Sequence, residues 1–365
     1  PVCASKPPGV CPVDNPMCVE SLSAFPHVAA GHSQGFRVPT DEVQDYPRTL
    51  LKKMDLTEHD VYSRLHNCAD PIREFIPGFE GVSEEAGVKY IRIANLLHGF
   101  KNPMVMDVKL GCRTQLESEQ HCRKPRPDLF ERMALMYPKE LTHAEREAGF
   151  VTKHRWMSTR DAHSTIASLS FRVDGVSGYS GKRRSSVEDL ASMRTMADTR
   201  DAFKAFVEET VEQFGGNGVA ADPLRVARGV RKELLRLLDA MHTSDFVASH
   251  EFIGSSILLV ADGTRTGVFW IDFAKTNRSP CRLTHRGSVR PGVPEDGIIS
   301  GLENLISAWT CVTEILQVGT KKSDCRLVGC VRFFTGQDHK CEVRERNDSV
   351  LHPHRLRSRR REGRC

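Results

Sequence analysis

Pro103-Met104-Val105-Met106-Asp107-Val108-Lys109-Leu110-Gly111 reads as a short strand running into a tight glycine turn. Side chains of a strand alternate between its two faces. Asp107 and Lys109 therefore point the same way, while Met106 and Val108 point into the core. A carboxylate and an ammonium displayed together at a strand end suit phosphoryl transfer: one orients a hydroxyl, the other neutralises phosphate charge. An isolated D-x-K is more often an ordinary surface ion pair, so the weight falls on what surrounds it.

Downstream the elements are long. Asp128–Tyr137 predicts a helix with Leu129, Met133 and Met136 on one side. Asp222 caps, and Pro223 opens, a helix reaching His242, with Leu224, Ala227, Leu234, Leu238 and Met241 as its buried stripe. Ile257–Val260, a turn at Asp262-Gly263 and Val268–Phe273 form a β-hairpin. Gly297–Leu316 is an amphipathic helix with Leu302, Leu305, Ile306 and Trp309 inward. Upstream, 28–100 mixes short strands with a helix over Glu58–Cys68 and a strand over Val88–Ile93, enough for a small nucleotide-covering lobe. Residues 1–27 read as a leader, and the polar stretch 318–365, basic at its end, as a disordered tail.

The 365 residues suffice for a two-lobed domain or two domains. No apolar run approaches the ~20 residues that span a bilayer. The net charge of +5 is mild, with basic residues mixed among acids, and does not argue for nucleic acid. The 12 cysteines are scattered without a C-x-x-C pair and read as reduced thiols of an intracellular protein, cytoplasmic and/or nuclear. Cys325, Cys330, Cys341 and His339 fit no common zinc-ligand spacing. The first residue is Pro1 and not Met, which leaves the true N-terminus open.

P-x-x-x-D-x-K-x-G resembles the signature of the inositol polyphosphate kinases, and other pieces of that family follow in order. Ile271-Asp272-Phe273-Ala274-Lys275-Thr276 resembles its I-D-F-G-K-T element, with Ala274 in place of Gly. Gly254-Ser255-Ser256-Ile257-Leu258-Leu259 resembles its G-S-S-L-L strand. Gly31-His32 through Phe36, and Leu51-Lys52-Lys53, resemble the opening of its small lobe. Glu295-Asp296-Gly297 through Asn304 resembles its closing helix. Thr152-Lys153-His154-Arg155-Trp156-Met157-Ser158-Thr159-Arg160 is similar to the substrate segment of the inositol 1,4,5-trisphosphate 3-kinases, with Trp156 where that group has Tyr.

The resemblance implies an α+β, two-lobed, protein-kinase-like or ATP-grasp-like fold: a small antiparallel N-lobe (28–98), a larger C-lobe (99–317) and a helical inositol-binding insert (112–162). It implies ATP-dependent phosphorylation of inositol 1,4,5-trisphosphate at the 3-hydroxyl, with Asp107 and Lys109 catalytic. Asp272 holds Mg²⁺, Ser256 lies in the nucleotide and metal site, and Lys52 reaches the ATP phosphates. The hinge falls at 93–97, with nucleotide contacts at Ala94 and Leu96. Arg126, Lys153, Trp156 and Arg160 bind the inositol phosphate. No G-x-x-x-x-G-K-[ST] loop occurs, so ATP is expected in a kinase-like cleft.

Three alternatives stay open: a broader inositol polyphosphate multikinase, a catalytically silent inositol-phosphate-binding module, and a protein that works through its basic tail. The metal-ligating Asp272 and the Asp107/Lys109 pair argue against the silent module, which needs neither. Calmodulin control, a feature of some animal relatives, finds no support here: their binding helix precedes the catalytic part, where this chain has only a short Pro-containing leader.

Overall fold

The structure, a computed structural model, describes residues 35–39, 41–42, 47–178, 190, 192–214, 222–287 and 295–331, with side chains through 318 except at 214. The expected leader, the Gly31-His32 opening, the end of the tail and the side chains of Cys325, Cys330, Cys341 and His339 lie outside it. The chain divides into two compact units, Pro1–Gly319 and Thr320–Cys365.

The first sheet is antiparallel in the order β1 (Phe36–Arg37), β2 (Thr49–Lys53), β4 (Val88–Ala94), β3 (Phe79–Glu85). Helix α1 (Leu56–His66) joins β2 to a 3-10 turn at Pro71–Phe75, capped where the Asp55 carboxylate accepts the Thr57 and Glu58 N–H groups. It starts two residues before the expected Glu58, because Asp55 is the residue able to cap it.

The second sheet, also antiparallel, runs β6 (Phe171–Ser177), β5 (Met104–Leu110), β8 (Ser256–Ala261), β9 (Thr266–Ile271). Between β5 and β6 lie a 3-10 turn (Glu117–His121) and helices α2 (Pro127–Met136), α3 (His143–Ala148), α4 (Lys153–Ala162) and α5 (Ile166–Leu169). After β6 come α6 (Met196–Phe214), α7 (Pro223–Thr243) and α8 (Asp245–Ala248); β7 (His250–Phe252) pairs with β10 (Thr276–Arg278), and α9 (Ile298–Val331) follows. Helix α9 continues beyond the expected tail boundary at 317/318. Among the described residues no helix is long and apolar enough to cross a membrane.

Strand β5 places the site. Met104, Met106, Val108 and Leu110 are fully buried in the main core, shared with α6, α7 and α9, where Trp309 stacks on Phe203 at 4.7 Å. On the opposite face Val105 joins a smaller cluster with Leu50, Leu97, Phe100 and Val260, and Asp107 and Lys109 follow it. The buried stripe of α7 includes the expected Leu224, Ala227, Leu234 and Met241, but Leu237 takes the fully buried place given to Leu238.

Two glycines of the expected motifs hold elements together. Gly111 has φ +104°, and a Cβ there would meet the Asp296 carbonyl oxygen at 2.8 Å. A Cβ on Gly301 would collide with the Ser170 carbonyl.

Candidate active site

Asp107 sits mid-β5, opposite Leu258 of β8 and Gly175 of β6. The β5–β6 register slips there: Asp107 pairs with Gly175 but Val108 with Val173, leaving Asp174 as the extra residue of a bulge. Asp107 is 5% exposed, and its Oδ1 makes no hydrogen bond. Burial pushes its pKa up to about 6; Lys109 opposes this, while the Asp272 and Asp174 charges add to it. Ser256, wholly buried at the start of β8, also leaves its hydroxyl unbonded. That hydroxyl weakly favours the Asp107 carboxylate, although no hydrogen bond of ordinary length joins them.

Lys109 turns to Asp272, with Nζ 2.7 Å from Oδ2. Asp272 follows β9 in the left-handed region, φ +69°, a conformation costly for a non-glycine residue that swings its carboxylate back between two lysines. Its other oxygen accepts from Lys52 Nζ at 3.1 Å, and Lys52 also donates to Glu58 Oε1 at 2.8 Å. The result is a charge chain Lys109–Asp272–Lys52–Glu58, built from β5, the loop after β9, β2 and α1. Burial opposes the charge on Asp272, but Lys109 and Lys52 hold its carboxyl well below the ordinary range. Burial likewise works against the Lys52 ammonium, and Asp272 and Glu58 more than compensate. Ala274 is not among the residues with positive φ, so the family's glycine is dispensable there.

Glu58 went unnoticed in the sequence. It is 1% exposed, on the α1 face that also buries Val61, Tyr62 and Leu65. A carboxylate at the first place of an i, i+3, i+4, i+7 apolar stripe was the available signal. A lysine on a small-lobe strand paired with a helix glutamate is also how protein kinases position their phosphate-binding lysine.

At the hinge, the Ala94 N–H donates to the Gly78 carbonyl at 2.7 Å. Asn95 is buried and bonded to Pro47 and Leu97. The Leu96 N–H makes no hydrogen bond among the described residues. The 93–97 turn thus has a fixed backbone, and Leu96, not Ala94, carries its free donor.

The proposed substrate residues do not gather as one group. Arg160 of α4 donates to Asp174 at 2.9 Å, and Arg172 binds both Asp174 (2.6 Å) and Asp161 (2.7 Å). The Asp161 carboxylate accepts the Thr114 N–H and hydroxyl. This network ties α4 to β6 beside Asp107, and Asp174, also absent from the sequence reading, is its centre. Lys153 Nζ lies 2.8 Å from Glu119, and Arg126, at the N-cap of α2, pairs with Asp128 at 2.6 Å. Both cations are partly exposed on the insert. Trp156 is 5% exposed and packs with Leu129, Met133, Tyr137, Leu141 and Val151, so most of the indole belongs to the core of the insert.

A hard divalent cation fits this cluster. Asp272 brings a carboxylate and Ser256 an unbonded hydroxyl. Among the described residues no group of three or more His, Cys, Asp or Glu side chains converges. A hard ion of this kind can be held by one or two protein oxygens, with phosphate and water completing its shell.

A family model described as inositol polyphosphate kinase matches residues 90–310. Mouse inositol-trisphosphate 3-kinase A is 33% identical over 292 residues, 78% of this chain and 59% of the relative. The Caenorhabditis elegans inositol-trisphosphate 3-kinase homolog is 34% identical over 268 residues, 71% of this chain and 51% of that protein. The chain thus spans between half and three-fifths of these relatives. Among solved structures, the inositol phosphate multikinase of S. cerevisiae in complex with ADP and Mn²⁺ aligns at TM-score 0.47 and 19% identity, covering 72% of this chain and 98% of that one.

Proposed function

The chain belongs to the inositol polyphosphate kinase family, and from that premise we propose that it transfers the γ-phosphoryl group of ATP to a ring hydroxyl of an inositol phosphate, namely the 3-hydroxyl of inositol 1,4,5-trisphosphate. The observation that carries this reading is Asp107: a buried carboxylate with an unbonded oxygen, beside the Lys109–Asp272–Lys52–Glu58 chain. A buried polar atom without a partner calls for an explanation, and a substrate hydroxyl supplies one. The identity to trisphosphate 3-kinases favours that substrate.

In this mechanism Asp107 accepts the hydrogen bond of the attacking hydroxyl and takes its proton late. Lys109 and Lys52 neutralise charge on the transferring group and on the ATP phosphates. Glu58 keeps Lys52 extended from β2. Asp272 and Ser256 would hold Mg²⁺, which would supply positive charge against the ATP phosphates. Arg126, Lys153 and Arg160 receive the ring phosphates by exchanging their present carboxylate partners. The transition state is loose, so positioning and charge neutralisation outweigh base strength.

A second reading, a broader multikinase, is favoured by Trp156 itself, which stands where the trisphosphate 3-kinases have Tyr and whose indole donates one hydrogen bond but accepts none. Incubation with Mg·ATP and inositol 1,4,5-trisphosphate, resolved by anion exchange, tests both. A 1,3,4,5-tetrakisphosphate peak supports the first. Conversion of other inositol phosphates instead supports the second. Saturable binding without any conversion would overturn both in favour of a silent module.

A further inference from the structure

One buried hydroxyl beside the arginines of α4 and β6 is left without a partner. Tyr137 ends α2, where Pro138 stops the helix, and is 6% exposed. Its backbone is fixed: the N–H donates to the Met133 carbonyl at 2.8 Å, and the carbonyl accepts the Glu140 N–H at 3.0 Å. Its ring is fixed as well. The phenol stacks on the His163 imidazole at 5.2 Å and lies against the Trp156 indole at 6.0 Å. His163 is held in turn by Glu140, with Nε2 3.1 Å from Oε1. The phenolic oxygen, by contrast, bonds to nothing among the described residues.

A buried polar atom left unsatisfied costs free energy, and Asp107 carries the same signature. The charges around the hydroxyl indicate what would satisfy it. Arg160 acts on it most strongly, followed by Arg194 and Arg172, with Asp161 opposing. Three guanidinium groups around one phenol favour an anion. Burial outweighs these cations and holds the Tyr137 pKa above the ordinary phenol value, so the hydroxyl keeps its proton and donates. Arg172 is committed to Asp161 and Asp174, whereas the Arg160 side chain is 21% exposed and within reach of a ligand.

We propose that Tyr137 is a substrate-binding residue, whose hydroxyl donates to the same ring phosphate that Arg160 receives. This rests on the proposed reaction for the identity of the ring, not for the phosphate contact itself. When Arg160 leaves Asp174 for a phosphate oxygen, the phenol gains its missing partner. A charged acceptor makes that hydrogen bond stronger than one between neutral groups. A ring hydroxyl in the same place gains less, so Tyr137 adds selectivity for a phosphate at this position. Because stacking already holds the ring, the contact costs little side-chain entropy on binding.

The test is calorimetric titration of the full chain, without nucleotide, using inositol 1,4,5-trisphosphate and, separately, inorganic pyrophosphate, with thermal melting of the same samples. Tyr137→Phe removes the hydroxyl and keeps the ring. It should bind each probe about tenfold more weakly, the scale of one hydrogen bond to a charged group. It should melt no lower than the unsubstituted protein, because an unsatisfied buried hydroxyl has gone. In an Arg160→Gln background the same change should cost much less, since both groups hold one phosphate. Unchanged binding overturns the inference, as does an undiminished effect in Arg160→Gln. Weaker binding with a lower melting temperature, or failure of Tyr137→Phe to fold, marks a structural hydroxyl and overturns it too. If Arg160→Gln does not fold, binding and melting of Tyr137→Phe decide by themselves. Pyrophosphate binding weakened in Tyr137→Phe, with no trisphosphate binding by either protein, supports the contact and counts against the proposed substrate instead. No binding of either probe by the unsubstituted protein overturns the inference.

Discussion

Asp107 combines two costs that the proposed chemistry explains: it is a carboxylate in a nearly closed setting, and one of its oxygens is unbonded. Its pKa, raised to about 6, fixes the sign of two effects. The base form is lost as pH falls through that value, so kcat/KM should drop below about pH 6; a profile flat down to pH 5 would contradict the role. The folded-state pKa exceeds the ordinary aspartate value, so burying the charge costs stability at neutral pH, and the cost fades as acid protonates the group. Asp107→Asn should therefore melt a few degrees higher at pH 7 while kcat falls by on the order of a hundredfold or more. Calorimetry and steady-state kinetics on the same preparation check both. Glu58→Gln should lower kcat and raise the KM for ATP by on the order of tenfold, because Lys52 then keeps only Asp272 as a charged partner; unchanged ATP kinetics would show that Lys52 needs no support from α1.

At the scale of elements, the legible parts were those with a period. Strand β5, the β8–β9 hairpin and α7 follow from alternation, a turn pair, and a cap with a stripe. What was not legible arises from pairing between distant segments. The bulge that aims Asp174 at Arg160 and Arg172 exists only because β6 slips one residue against β5, and no local property of Phe171–Ser177 encodes that slip. The resemblance grouped Trp156 with Lys153 and Arg160 as substrate residues. The contacts of α2 with α4 instead turn the indole into the insert core. The Arg172 pairs hold α4 to β6 in a dry setting, since Arg172 and Asp161 are 5% and 8% exposed. Removing one partner from a buried pair costs about 3 kcal/mol or more. Arg172→Met should lower stability by that order in urea unfolding, whereas loss below about 1 kcal/mol would mean that the network is not what holds α4.

Across the molecule, the joint between the β7–β10 pair and α9 is a buried charge pair. His285 Nδ1 faces the Asp296 carboxylate at 2.9 Å and Nε2 faces the Val247 carbonyl at 2.9 Å. Both partners are acceptors, so both ring nitrogens donate and the ring is an imidazolium. Asp296 also accepts the Phe252 and Ile298 N–H groups, tying β7, the 279–287 loop and the start of α9 together. Burial opposes the imidazolium, but the Asp296 hydrogen bond and charge raise its pKa above the ordinary imidazole value. Its stabilisation is therefore full below the ordinary imidazole range and is lost as pH rises through the raised folded value. The melting temperature of the unsubstituted protein should fall from pH 6 to pH 9 relative to His285→Gln; parallel curves would contradict the clamp.

In the proposed reaction Asp107, Lys109, Asp272, Lys52 and Glu58 act as one phosphoryl-transfer centre. The most direct measurement is single-turnover transfer of label from [γ-³²P]ATP to inositol 1,4,5-trisphosphate, comparing the unsubstituted chain with Asp272→Asn at matched folding. Rapid labelling of the inositol phosphate is expected from the former and a loss of about a hundredfold or more in the latter, the scale of deleting a preorganised electrostatic group. Equal transfer rates in the two proteins would contradict it.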